Sequence, residues 1–171
     1  PAANGAPTRQ RKDRRGSGKL RFTGLDDVAA DGSPASVIHC SQDVEFSVGY
    51  TSNDADLKNV YMAIDIFALS GQCMLSLCNE MVGVGFGAAP SRGHLCCRIE
   101  RFPLAPGHYT VTLFCRVNGT IADWLPQAAV LAVEPGDFYG TGRLPTPTLG
   151  GVMVPQRWRL ENQQIGHLSL A

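Results

Sequence analysis

The chain of 171 residues lacks any run of about 18 apolar residues, so no segment is long enough to cross a bilayer as a helix. It shows no charged-then-apolar leader ending in a cleavage site, and a secretory signal is therefore not expected. No G-x-x-x-x-G-K-[ST] sequence occurs, which leaves these residues without the loop that cradles nucleotide phosphates for hydrolysis. The nearest approach, "GVGFGAAP" at 83–90, has the wrong second spacing for G-x-G-x-x-G, and no helical pattern follows to aim a positive end at phosphate. It reads as a flexible loop between strands. No hydroxyl or thiol stands in a nucleophile motif such as G-x-S-x-G. The four histidines, His39, His94, His108 and His167, are scattered singly, and His94 with Cys96 and Cys97 lacks the C-x-x-C spacing of a zinc site. Neither a cofactor nor a metal is expected. Helical periodicity is nearly absent.

What is present begins with an uneven charge. The formal net charge is +0, yet the first 21 residues hold seven basic side chains (Arg9, Arg11, Lys12, Arg14, Arg15, Lys19, Arg21) against Asp13 alone. Embedded among Gly, Pro and Ala, the arm 1–15 reads as a solvated, flexible linker rather than a nucleic-acid or membrane contact, with the globular domain occupying 16–171. The six cysteines, Cys40, Cys73, Cys78, Cys96, Cys97 and Cys115, mostly sit inside apolar strand-like runs, where a free thiol behaves as a small hydrophobe. A chain of this length with 44% hydrophobic residues builds a core without disulfide staples, so the cysteines are expected to be reduced and the compartment cytoplasmic.

From Lys19 onward apolar residues recur with a period of two, in short runs separated by Gly, Pro, Asn and Asp, which predicts antiparallel strands. "KLRFTGLDDVAADGSP" is a strand closing on an Asp31-Gly32 turn. In "SVIHCSQDVEFSVGYTS", Val44, Phe46, Val48 and Tyr50 share one face and Glu45, Ser47 and Thr51 the other. "NVYMAIDIFALSGQCMLSLCN" supplies two strands meeting near Ser70-Gly71, with Met62, Ile64 and Ile66 opposite Tyr61, Asp65 and Phe67. "GHLCCRIERF" separates Leu95, Cys97 and Ile99 from Cys96, Arg98 and Glu100. In "GHYTVTLFCRV", Tyr109, Val111, Leu113, Cys115 and Val117 oppose Thr110, Thr112, Phe114 and Arg116. Asn118-Gly119 closes a hairpin because both positions need positive φ, Trp124 to Val133 returns beside it, and a last apolar run covers Val152 to Val154. The fold class expected is all-β, a β-sandwich or jelly roll.

If these registers hold, one sheet face carries Glu45, Tyr61, Asp65, Phe67, Arg98, Phe114 and Arg116. Aromatic rings offer flat apolar area to the C–H faces of a sugar, while carboxylates and guanidinium groups make directional bonds to its hydroxyls. Asp65 and Glu45, on strands that could be neighbours, are also the candidate carboxylate pair for glycoside hydrolysis, which needs two such groups across a cleft.

The stretch "FPLAPGHYTVTLFCRVNGTIADWLPQAAVLAVEPGDFYGTG" followed by "GGVMVPQRWRL" resembles the C-terminal domain of Wzt, the ATP-binding subunit of ABC transporters that export O-antigen polysaccharide. The likeness rests on the strand entry Phe102 to Tyr109, on Asp123-Trp124 after the hairpin, on Leu131-Ala132-Val133, and on the closing Gly151, Pro155 and Trp158. It runs more weakly upstream through "VEFSVGYTSN" and departs from the family in the Cys-rich segments "CMLSLC" and "LCCRI". The resemblance implies an immunoglobulin-like sandwich that binds carbohydrate without catalysing, and that recognises finished, often end-modified polysaccharide at the cytoplasmic side of the inner membrane. It further implies an ATPase domain and a transmembrane subunit as partners, and a homodimer that in some members exchanges its terminal strand. The Gly/Pro-rich segment before Val152 is a hinge compatible with such exchange. No nucleic-acid partner is implied.

Overall fold

The computed structural model describes residues 8–29, 37–146 and 150–160. Its strands are β1 (Leu20–Ala29), β2 (Ile38–His39), β3 (Val44–Leu57), β4 (Val60–Ala68), β5 (Cys73–Cys78), β6 (Ala89–Ile99), β7 (Gly107–Val117) and β8 (Thr120–Glu134). Among the described residues the only helical segments are two short 3-10 turns, Thr8–Gln10 and Glu80–Val82, and no helix is long and apolar enough to cross a membrane.

Alternation decides which way each strand faces. Val44, Phe46, Val48 and Tyr50 are at most 2% exposed while Glu45 and Ser47 between them are half-buried, and Met62, Ile64 and Ile66 in β4 turn inward as the period-two pattern requires. Two sheets result, ordered β1-β3-β6 and β2-β8-β7-β4-β5. Every pairing is antiparallel except the two-residue parallel contact of β2 with β8. The inner faces of both sheets supply one core, with Phe22, Phe46, Phe102, Ile64, Ile66, Leu113 and Leu125 almost wholly buried and the Phe46 and Phe102 rings edge to face at 6.2 Å. Each such side chain contributes about 1.5–3 kcal/mol of transfer free energy.

Two local features place the chain among immunoglobulin-like sandwiches. The Tyr109 hydroxyl, near the start of β7, donates to the Ala105 carbonyl at 2.8 Å in a buried site, the corner that locks the entry to the corresponding immunoglobulin strand. The β7–β8 turn has Asn118 at φ 50° and Gly119 at φ 78°, the geometry of a two-residue hairpin that matches strand twist.

Several expectations need correction. The part of the arm from residue 8 to 15 is not a free linker: Arg11 is 6% exposed, and Arg11, Arg14 and Arg15 are bonded to β8. A clustered positive charge reads as solvated until a buried carboxylate, here Asp123, gives it a partner. All six cysteines are free, but Cys73 and Cys96 are exposed on outward positions and only Cys40 and Cys115 are buried. The run Val152 to Val154 makes a single bridge, Leu104 to Val152, with Met153 tucked into the core at 4% exposure. The Asp31-Gly32 turn lies outside the described residues.

Candidate functional site

The outer face of the five-stranded sheet carries an open groove of about 670 Å³ across β4, β7 and β8. Its wall and floor include Asp65 and Phe67 from β4, Thr110, Thr112 and Phe114 from β7, and Trp124 and Gln127 from β8. The register explains the assembly. Phe67 pairs with Thr110, Asp65 with Thr112, Ala63 with Phe114, and Phe114 with Trp124, so alternate residues of adjacent strands stand in ranks on one face. Ala63, in the rank between Tyr61 and Asp65, is covered at 3% exposure.

The groove is bounded on β8 by an irregularity. Val111 pairs with Ala129 and Leu113 with Leu125, so Thr112 opposes three residues, Pro126, Gln127 and Ala128. Pro126 has no N–H to offer the ladder. Gln127 takes φ 47°, a left-handed conformation costly for a side-chain-bearing residue. Its N–H donates to the Thr112 hydroxyl at 3.3 Å. Asp65 accepts a hydrogen bond from Ser76 at 2.6 Å, which holds its carboxylate along the face.

Beyond the groove end, the same face continues as a stack. The Tyr61 and Phe114 rings meet edge to face at 5.9 Å, the Arg116 guanidinium lies 4.3 Å from the centre of the Tyr61 ring, and Arg116 pairs with Glu80 at 3.7 Å. The Tyr61 hydroxyl is pushed up to about 12, first by its hydrogen bond with the Cys78 thiol and then by burial. It therefore stays protonated, and able to donate, throughout the physiological range.

Of the seven residues named from the sequence, Tyr61, Asp65, Phe67, Phe114 and Arg116 share this face. Glu45 and Arg98 do not. They are register partners on β3 and β6, in the other sheet, and Arg98 bonds Asp43 at 3.1 Å. Glu45 and Asp65 consequently lie on opposite outer surfaces of the sandwich, not on neighbouring strands, and cannot flank one scissile bond. Alternation assigns a residue to the outer side of its own sheet, but each sandwich has two outer sides. The sequence reading missed Trp124, Thr112 and Gln127 as site residues. Thr112 was visible beside Phe114 in the alternation; Trp124 and Gln127 depend on bulges that no local signal marks, although Pro126 hinted at a break in the ladder.

A second opening, of about 630 Å³, lies between the unpaired edges of β5 and β6. Its lining combines Met62, Ile64, Leu77, Met81, Val82, Phe86, Leu95 and Ile99 with the polar Ser76, Asn79, Arg98 and Glu100. It has Phe86 as its one aromatic ring, whereas the groove sets three rings, Phe67, Phe114 and Trp124, beside Asp65, Thr112 and Gln127.

Fold and groove together define an immunoglobulin-like β-sandwich with an open, aromatic-lined groove on its larger sheet. Comparison with known proteins gives the family. Residues 11–144 match the Wzt C-terminal domain, and the chain belongs to that family. Among solved structures it is similar to the one described as the crystal structure of the C-terminal domain of Wzt, with TM-score 0.69 and 14% identity over 91% of this chain and 93% of that one. A search of curated proteins finds no match.

Proposed function

We propose that this domain binds carbohydrate without catalysis, and that its ligand is O-antigen polysaccharide awaiting export by an ABC transporter. One observation carries the reading: Phe67, Phe114 and Trp124 stand with Asp65, Thr112 and Gln127 around a single open groove, the combination of flat apolar area and fixed hydrogen-bonding groups that a pyranose ring requires. Family membership supplies the export context. ATP hydrolysis then belongs to a nucleotide-binding domain of the same ATPase subunit, through which this domain meets the transmembrane subunit at the cytoplasmic face of the inner membrane. Tyr61 and Arg116 extend the surface for a chain longer than one sugar, and a modified terminus would be read along the same rank.

Each hydrogen bond to a sugar hydroxyl replaces one to water and yields only about 0.5–1.5 kcal/mol, so affinity is expected in the micromolar to millimolar range. Calorimetric titration with O-polysaccharide released from the source organism's lipopolysaccharide tests the reading. Phe114→Ala and Trp124→Ala should each weaken binding by about tenfold, the loss of one aromatic platform of roughly 1.4 kcal/mol. Arg98→Ala, on the other sheet, should leave it unchanged. Full affinity in both aromatic variants would move the ligand elsewhere.

A second role, dimerisation through the terminal segment, is favoured by one observation. Residues 151–153 dock by few contacts, the Gly151 carbonyl accepting from Ala105 at 3.0 Å and the Met153 N–H donating to Pro103 at 2.6 Å, and a partner copy could supply the same segment.

A further inference from the structure

Five consecutive residues of β8, from Asp123 to Gln127, face two ways. Towards the groove they present the Trp124 ring, Pro126 and Gln127. On their other side each main anchor is gripped by the arm. Asp123 is fully buried and accepts hydrogen bonds from Arg14 through both oxygens, as well as one from Arg21 at 3.2 Å. Trp124 exchanges both backbone hydrogen bonds with Arg15, at 3.0 and 2.7 Å, and the Arg15 guanidinium lies 5.3 Å from the centre of its ring. Arg11 donates to the carbonyls of Pro126 at 2.7 Å and Gln127 at 2.9 Å, the two carbonyls that the bulge takes out of the sheet ladder. Arg11 is itself oriented by Asp13 through contacts of 2.6 and 2.5 Å. Arg11, Arg14 and Arg15 do not line the groove; they act through the residues that do.

From this arrangement we propose that residues 8–15 are the positioning element of the groove and that arm docking and groove occupancy are energetically coupled through the β8 bulge. The coupling rests on the reading of the groove as a saccharide site. Its physical basis is the strained Gln127 backbone: a left-handed, side-chain-bearing residue persists only where its surroundings over-determine it. Here the Thr112 hydroxyl holds Gln127 from the groove side and Arg11 holds it from the arm side. With the arm undocked, two bulge carbonyls lose the Arg11 donors, the buried Asp123 carboxylate loses Arg14 and keeps Arg21 and the Phe22 N–H, and the Trp124 ring loses the guanidinium above it. A sugar stacked on Trp124 and bonded beside Gln127 favours the same bulge geometry that the arm requires. By linkage, whatever the ligand adds to arm docking the docked arm adds to ligand affinity. Saccharide binding on the sheet is thereby felt by the chain on the N-terminal side of the sandwich.

Amide hydrogen exchange on the whole 171-residue chain tests this, with the amides of β3 and β6, in the other sheet, as the control for global unfolding. Without ligand, Thr112→Val should speed exchange across residues 8–15 while the control amides hold; arm exchange identical to wild type would show that bulge and arm are not one unit and would overturn the proposal. With the released O-polysaccharide added, exchange in the arm should slow by about fivefold or more, and Arg15→Gln should weaken polysaccharide binding by a similar factor at unchanged melting temperature. Binding that is lost in Phe114→Ala yet leaves wild-type arm exchange unmoved would sink the coupling and leave the groove intact. A polysaccharide that does not bind the wild-type chain, or binds undiminished in Phe114→Ala, would remove the groove reading and the coupling with it.

Discussion

Asp123 is the side chain on which most of the polar order in the molecule converges. Desolvating a carboxylate completely is expensive, and here the cost is offset by bonds from Arg14 and Arg21 and by the Phe22 N–H at 2.9 Å, which tie β8 to the arm and to β1. Removing one member of such a buried set leaves the others uncompensated. Asp123→Ala is therefore expected to lower the free energy of unfolding by about 3 kcal/mol in urea titrations, with Asp123→Asn losing less because its amide oxygen still accepts from Phe22. Equal stability of the alanine variant would mean that the guanidinium groups find water as readily as the carboxylate. The neighbouring position shows how far alternation carries. Counting back from the Val117–Thr120 end of the hairpin places Asp123 opposite Phe114, but the bulge between Cys115 and Arg116 shifts the register so that Trp124 stands there instead. One extra residue exchanges a carboxylate for an indole at the groove and sends the carboxylate inward.

The strands themselves were readable because each is written twice, in its period-two pattern and in the turn residues that end it. Asn118-Gly119 and Ser70-Gly71 both fall at the predicted hairpins, and the facing residues of β3, β4 and β7 are the expected ones. Legibility fails where an element is defined by its partner. The arm has no period, and its docking depends on Asp123, more than a hundred residues away in the chain. The terminal run is too short to nucleate a strand, and Pro155 denies it a further donor, so it survives as one bridge and a buried Met153. Because so few bonds hold it, exchange between copies costs little. Sedimentation of the intact chain should show a dimer that Met153→Asp converts to monomer with polysaccharide affinity retained. A wild-type chain that stays monomeric at all concentrations would retire the exchange.

At the scale of the whole molecule, three carboxylates in separate regions of the described residues are held below the ordinary range. Asp13 is lowered by its hydrogen bond with Arg11, Asp43 by the Arg101 N–H and then Arg98, and Asp137 by the N–H groups of Gly142 and Thr141. A folded-state pKa depressed from an unfolded value near 3.9 contributes stability that is complete above that value and lost as pH falls through the folded one. The melting temperature should accordingly hold from neutrality down to about pH 5 and decline below about pH 4, with Asp137→Asn removing part of the decline; a chain that becomes more stable on acidification would contradict the assigned bonds. The all-β class and the inward faces of β3, β4 and β7 were available from order alone, because alternation is enforced by the pleat within a few residues. Which outer surface a polar residue reaches, and whether the basic arm meets a partner, follow from pairings between distant segments and from bulges that reset their register. Short-range rules contain neither. That is why Tyr61, Asp65, Phe67, Phe114 and Arg116 share one face while Glu45 and Arg98 stand on the opposite sheet, and why Trp124 entered the groove unannounced.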